Sequence, residues 1–186
     1  LWFLMPPEQF IYTHYPEEQK WQLLGSAVPL SDWQTLAKYD DDFFKYGFNP
    51  EENKTAWLRA NGSMILKFTI PRDVIIMTSL GYWGGADFTE SYTIEQRNGD
   101  TVEVIVSFPT KGTYELKIFA KFKDEEGQYN QIVSYKIDVD QGNNYQALAK
   151  RNAKIKTLQA ELAEKSKGET QLAERLRLLQ EAISAR

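Results

Sequence analysis

The 186-residue sequence contains no cysteine and only one histidine, His14. Without cysteine there can be no disulfide, no thiolate metal site and no cysteine nucleophile, and one imidazole cannot build a multi-histidine metal centre within a chain. Phosphate-cradling glycine loops and paired-histidine zinc motifs are also missing, so no cofactor is expected. The run Asp40-Asp41-Asp42 lacks the alternating oxygen ligands and closing glutamate of a calcium loop, and no metal is expected there. Long apolar runs are absent. "LWFLMPPEQF" has no basic region ahead of it and is cut by Pro6-Pro7, which fits neither a secretory signal nor a membrane span. Residue 1 reads as a break inside a longer protein. The missing cysteines fit a reducing compartment, and a cytoplasmic setting is expected.

What is present suffices for a folded body, since 42% of residues are hydrophobic and 13% aromatic. Charge divides the chain. Residues 1–144 carry 13 basic and 21 acidic side chains, net −8, whereas residues 145–186 carry 9 and 5, net +4. An acidic body is a poor platform for nucleic acid, because phosphate binding needs clustered Lys and Arg.

Period-two alternation predicts strands in the middle of the chain. Met64, Leu66, Phe68 and Ile70 share one face; so do Val102, Val104, Val106 and Phe108. The same holds for Tyr114, Leu116, Ile118, Ala120 and Phe122, and for Val133, Tyr135, Ile137 and Val139. With "DVIIMTSL" and "SYTIEQR" this makes about six strands over 63–140, and Asn98-Gly99 reads as a two-residue hairpin turn. The fold class is mainly β, an immunoglobulin-like antiparallel sandwich over 61–141. In "FPTKGTYELKIFA", Tyr114 is placed to form a tyrosine corner, its phenol bonding back to the connecting loop.

Residues 1–60 read as an aromatic-rich extended segment plus a short helix packing on the sandwich. The helix is predicted from Ser31 as N-cap, through Trp33, Leu36 and Phe43/Phe44, to a stop at Gly47; "NPEENKTAWLRANGS" reads as a loop. Residues 142–186 form a helical tail with a heptad seam of Leu148, Ile155, Leu158, Leu162, Leu172, Leu176, Leu179 and Ile183, interrupted by Arg151, Lys165 and Glu169. That stripe calls for a protein partner, self or foreign. Gly168 leaves two geometries open, a continuous coiled-coil helix or a hairpin folding at Lys165–Gly168.

The stretch "PPEQFIYTHYPEEQKWQLL", followed by "PLSDW" and "FFKYGF", resembles the segment that follows the transglutaminase-like domain in the kyphoscoliosis peptidase and hillarin family. The matching residues are Pro7, Glu8, Phe10, Ile11, Tyr12, His14, Tyr15, Pro16, Trp21, Gln22, Leu23, Leu24, Phe43, Phe44 and Gly47. The resemblance runs through the sandwich, over roughly 2–140. It implies an accessory region of a transglutaminase-like protein with a cytoskeletal association, and an upstream domain carrying Cys, His and Asp.

Read by themselves, the residues offer no catalytic constellation: His14 would need Ser26 or Ser31 as nucleophile and Glu17 as acid, without any nucleophile-elbow pattern. Packing of Tyr12, His14, Tyr15, Pro16 and Trp21 on the sandwich, with the imidazole bonded to backbone, is expected instead. In "GYWGGADF", Tyr82 and Trp83 read as a protein or glycan contact, or as a turn that buries the indole. Three functions fit: a non-catalytic scaffold and interaction module assembling through the tail, the C-terminal part of an active peptidase, or a carbohydrate-binding sandwich.

Overall fold

The computed structural model describes residues 5–89, 91–143, 154–162, 164–168, 171–172 and 177. Seven strands appear among them: β1 Trp57–Ala60, β2 Ser63–Thr69, β3 Val74–Tyr82, β4 Thr93–Asn98, β5 Thr101–Ser107, β6 Gly112–Phe122 and β7 Asn130–Val139. They form two sheets, one ordered β1-β7-β6-β3 and the other β2-β5-β4. Alternation sets which side of each strand meets the other sheet. Leu66, Phe68, Val102, Val104, Val106, Tyr114, Leu116, Ile118, Tyr135 and Ile137 are all buried, as their spacing predicts.

The expected loop at 49–63 contains a strand. β1 runs parallel to β7, with Trp57 opposite Lys136 and Ala60 opposite Val139. Four residues with only Leu58 and Ala60 turned inward give too little alternation to stand out from a loop. The β4–β5 turn also differs in detail. Asn98 is the last strand residue, paired with Thr101, and Gly99 alone takes positive φ, the pattern of a type II′ rather than a type I′ turn.

The tyrosine corner forms as predicted. Tyr114 donates its phenol proton to the Thr110 carbonyl (2.8 Å) and accepts from the Thr110 N–H (3.2 Å), while its ring packs on Phe108. Because that proton is spent, the Thr110 hydroxyl, 3.0 Å away, must donate to the phenol, and it accepts in turn from Tyr82.

The single helix expected over 31–47 is instead two single turns, α2 Leu30–Trp33 and α3 Asp41–Lys45; a further turn, α1, spans Pro7–Phe10. Pro29, not Ser31, precedes α2. Between α2 and α3 the chain pairs laterally: Ala37 N–H donates to Lys54 (2.7 Å) and Asp40 N–H to Ile132 (3.0 Å), so neither is available for a helical bond. The acceptor at Ile132 is exposed by a bulge in β7, where the register slips and both Ile132 and Val133 are buried. Gly47 does end α3, at φ +77°. A chain of ring contacts, stacked only between Tyr39 and Phe43, ties this segment to the core, from Tyr12 to Tyr39, Phe43, Phe48 and Phe68.

Residues 154–162 and 164–168 are helical, so the span where a hairpin would fold is helix as far as it is described. Ile155 is partly covered and Lys156 lies 3.7 Å from Glu95 of β4. Leu158, Leu162 and Leu172 are exposed, and no coiled-coil pairing is seen among the described residues. Leu148, Leu176, Leu179 and Ile183 lie outside the described residues.

Two phenols in this core should respond oppositely to loss of the hydroxyl. Tyr114→Phe removes three bonds that pin the 108–112 turn and is expected to cost about 1–2 kcal/mol. Tyr135 is fully buried beside Tyr39, whose proton goes to Pro50, and its hydroxyl has no well-formed partner among the described residues. Tyr135→Phe is expected to leave stability unchanged or raise it by up to about 1 kcal/mol. Urea unfolding of both variants checks the pair.

Candidate functional site

Polarity patterning leaves one distinctive surface, the outer face of the four-stranded sheet. Register places Trp57 of β1 beside Lys136 of β7, then Glu115 of β6 and Gly81 of β3. The Lys136 ammonium stands over the Trp57 ring (4.1 Å to the centroid) and near the Trp83 ring (5.1 Å), so one cation is held between two indoles. Both indoles remain half exposed, Trp57 at 56% and Trp83 at 50%. Trp83 therefore is not buried in its turn.

The turn that presents Trp83 depends on glycine. A side chain at Gly81 would meet the Ala86 carbonyl at 2.6 Å, and Gly84 takes φ +71°. Tyr82 diverges from its neighbour. Its ring stacks on Tyr114 and meets Phe88 edge-on, and its hydroxyl reaches Thr110, so it extends the corner while remaining exposed.

Below Trp57, its indole N–H donates to Asp138 Oδ2 and the Thr113 hydroxyl donates to Oδ1, both at 2.8 Å. These two bonds, Thr113 first, hold the Asp138 carboxyl below the usual aspartate range. Arg59, Lys111, Thr113, Asp138 and Asp140 line a cleft of about 300 Å³ beside it. Trp57, Lys136 and this cleft escaped the sequence reading. A Trp-x-Arg alternation in "AWLRA" is the only local signal of them.

The lone histidine sits elsewhere. His14 is exposed, stacked on Phe10 at 4.6 Å, with Nδ1 2.8 Å from the Thr13 hydroxyl. Thr13 gives its own proton to the Phe10 carbonyl, so Nδ1 is the donor to the Thr13 hydroxyl. Ser31 donates to Asp32, and Ser26 lines a separate cleft, of about 510 Å³, that does not include His14. Trp21 is exposed too. Packing falls to the neighbour Gln22, buried, whose amide bonds both the N–H and the carbonyl of Val28. An amide side chain mimics a backbone pair there, which an indole cannot do. No group of three or more metal-ligating side chains occurs among the described residues.

A family profile described as "KY-like, immunoglobulin-like domain" matches residues 30–149. The chain belongs to that family. The KY-like region is 26% identical over 137 residues to mouse kyphoscoliosis peptidase and 27% identical over 137 residues to the human one. In each case 73% of this chain and 20% of the relative are covered. Drosophila melanogaster hillarin is 24% identical over 133 residues, covering 64% of this chain and 16% of hillarin. The chain spans about a fifth of the length of the kyphoscoliosis peptidases it matches. The match falls on the immunoglobulin-like region of the family and includes no cysteine of this chain. No helix among the described residues is long and apolar enough to cross a membrane.

The Asp138 assignment makes a titration prediction. Its depressed carboxyl contributes stability that is present at neutral pH and is lost as pH falls from the ordinary aspartate range through the folded value. Trp57→Phe and Thr113→Val should each move the Asp138 midpoint upward, Thr113→Val by more. Carboxyl carbon NMR against pH reads both shifts.

Proposed function

We propose that this KY-like domain is a non-catalytic interaction and scaffold module of a transglutaminase-like protein of the kyphoscoliosis peptidase and hillarin type. The observation that carries the reading is the contrast between its two kinds of polar group. His14, Tyr12, Glu51 and Tyr114 are bonded into local structure, whereas Trp57, Trp83, Arg59 and Lys111 are displayed. Exposed tryptophan and arginine are the residue types that dominate protein contacts. In this reading the peptidase activity for which the mammalian relatives are named belongs to parts of those proteins other than the matched fifth.

The tail supplies assembly in this reading. Leu158 and Leu162 stand one helical turn apart, and both are exposed, Leu162 at 71%, so the stripe is covered by pairing with a second helix. A cytoplasmic, cytoskeleton-associated setting follows from the family resemblance.

Sedimentation velocity of the full chain tests assembly. Concentration-dependent association is expected, and Leu158→Lys with Leu162→Lys should abolish it while the thermal transition of the sandwich is kept. A monomer at every concentration, alone and with candidate partner helices, counts against the tail's role. Turnover of a peptide or transamidation substrate by the chain, lost in His14→Ala, would overturn the non-catalytic assignment.

A further inference from the structure

The four sheet edges are not treated alike. On β3, Arg97 donates to the Val74 carbonyl, Thr78 N–H donates to the Glu95 carboxylate (3.0 Å) and Phe88 N–H donates to Leu80 (2.8 Å). On β2, Asn53 donates to the Lys67 carbonyl and Thr69 N–H donates to the Glu52 carboxylate, each at 2.7 Å. β4 presents Glu95 and Arg97, with Lys156 of the tail against it. Capping and charge of this kind keep an edge from pairing with another chain.

β1 is handled differently. Upstream of it, Ala56 N–H donates to Thr35 (2.8 Å), and the N-terminal segment then turns away to α3. In the parallel ladder with β7, the Ala56 and Ala60 carbonyls accept from Lys136 and Asp140. Residues 56, 58 and 60 therefore face β7, and Trp57 and Arg59 direct their N–H and C=O groups outward. No cap on these four groups occurs among the described residues.

Beside this edge lie Arg59 and Lys111, neither in an ion pair among the described residues, on a body of net charge −8. Asp138 in the cleft has both oxygens bonded to Trp57 and Thr113 and also feels the Arg59 charge; Asp140 completes the lining. An incoming carboxylate thus meets two cations that form no salt bridge among the described residues. The Trp57 indole offers apolar area to the neighbouring side chain.

We infer that the free edge of β1 takes up an extended acidic segment of a partner protein, which adds as a strand along Trp57–Arg59 and places a carboxylate against Arg59 and Lys111. Main-chain bonds then supply register and the cations supply selectivity. This rests on the interaction-module reading and gives that module the chemistry of its partner.

The test uses the full chain and two octapeptides, one alternating Glu with Val and one alternating Lys with Val. The acidic peptide is expected to bind at least tenfold more tightly by tryptophan fluorescence and to slow hydrogen exchange at the Trp57 and Arg59 amides. In Arg59→Glu with Lys111→Glu the preference should invert; both positions are surface sites, and an unchanged thermal transition confirms that the fold is kept. Equal binding of the two peptides, protection confined to β2, β3 or β4, or no binding of either at millimolar concentration overturns the proposal. Those outcomes leave tail association, read separately by sedimentation, standing or falling by itself.

Discussion

Burial of Tyr114 at the head of β6 is the contact on which the rest of the sandwich depends. β6 lies between β7 and β3, so its inward residues set the floor of the four-stranded sheet. The phenol bonds the turn that brings β5 out of the other sheet, and Phe108 packs on the same ring. One side chain thereby fixes the connection between the sheets and the height of the core. Tyr82, stacked on Tyr114, passes that constraint to the end of β3, where the glycine turn then displays Trp83. Display of an indole at the surface is a consequence of packing two residues away.

The N-terminal segment is held by a different means. Its turns are each too short to be stable in water, and none buries a helical face of its own. Rings and lateral hydrogen bonds do the anchoring instead: Tyr39 and Asp40 meet the bulge at Ile132, and Phe43 and Phe48 carry the contact to Phe68. The same segment is bonded to the chain just ahead of β1, through Ala37 N–H to the Lys54 carbonyl and Ala56 N–H to the Thr35 carbonyl.

Electrostatics follow from this architecture. Several carboxylates of the body are engaged with backbone N–H groups or lysines, as with Glu95 on Thr78, Glu52 on Thr69 and Asp87 on Lys117. Negative charge therefore serves to close edges and turns. The cations Arg59 and Lys111 are not so used, and they stand next to the indole surface. In the proposed reading the domain works by presenting surfaces, and the charges left over select its partner.

The inward faces of β2, β5, β6 and β7 were legible because a period of two, sustained over four or five residues, admits one buried side. The corner at Tyr114 was legible because a Pro-Gly turn and an inward tyrosine fix it locally. β1 was not, since four residues carry too little alternation, and its strand character comes from pairing with Lys136–Val139, more than seventy residues away. Nor was the break in the helix over 31–47, because local spacing cannot report that Lys54 and Ile132 compete for its N–H groups. For the surface, the sequence showed Trp83 but not its companions. By itself the sequence determined which residues avoid water and that no cysteine or histidine cluster exists. Only the tertiary structure decided which exposed rings stand together and which edge stays open, because those depend on contacts between strands remote in the chain.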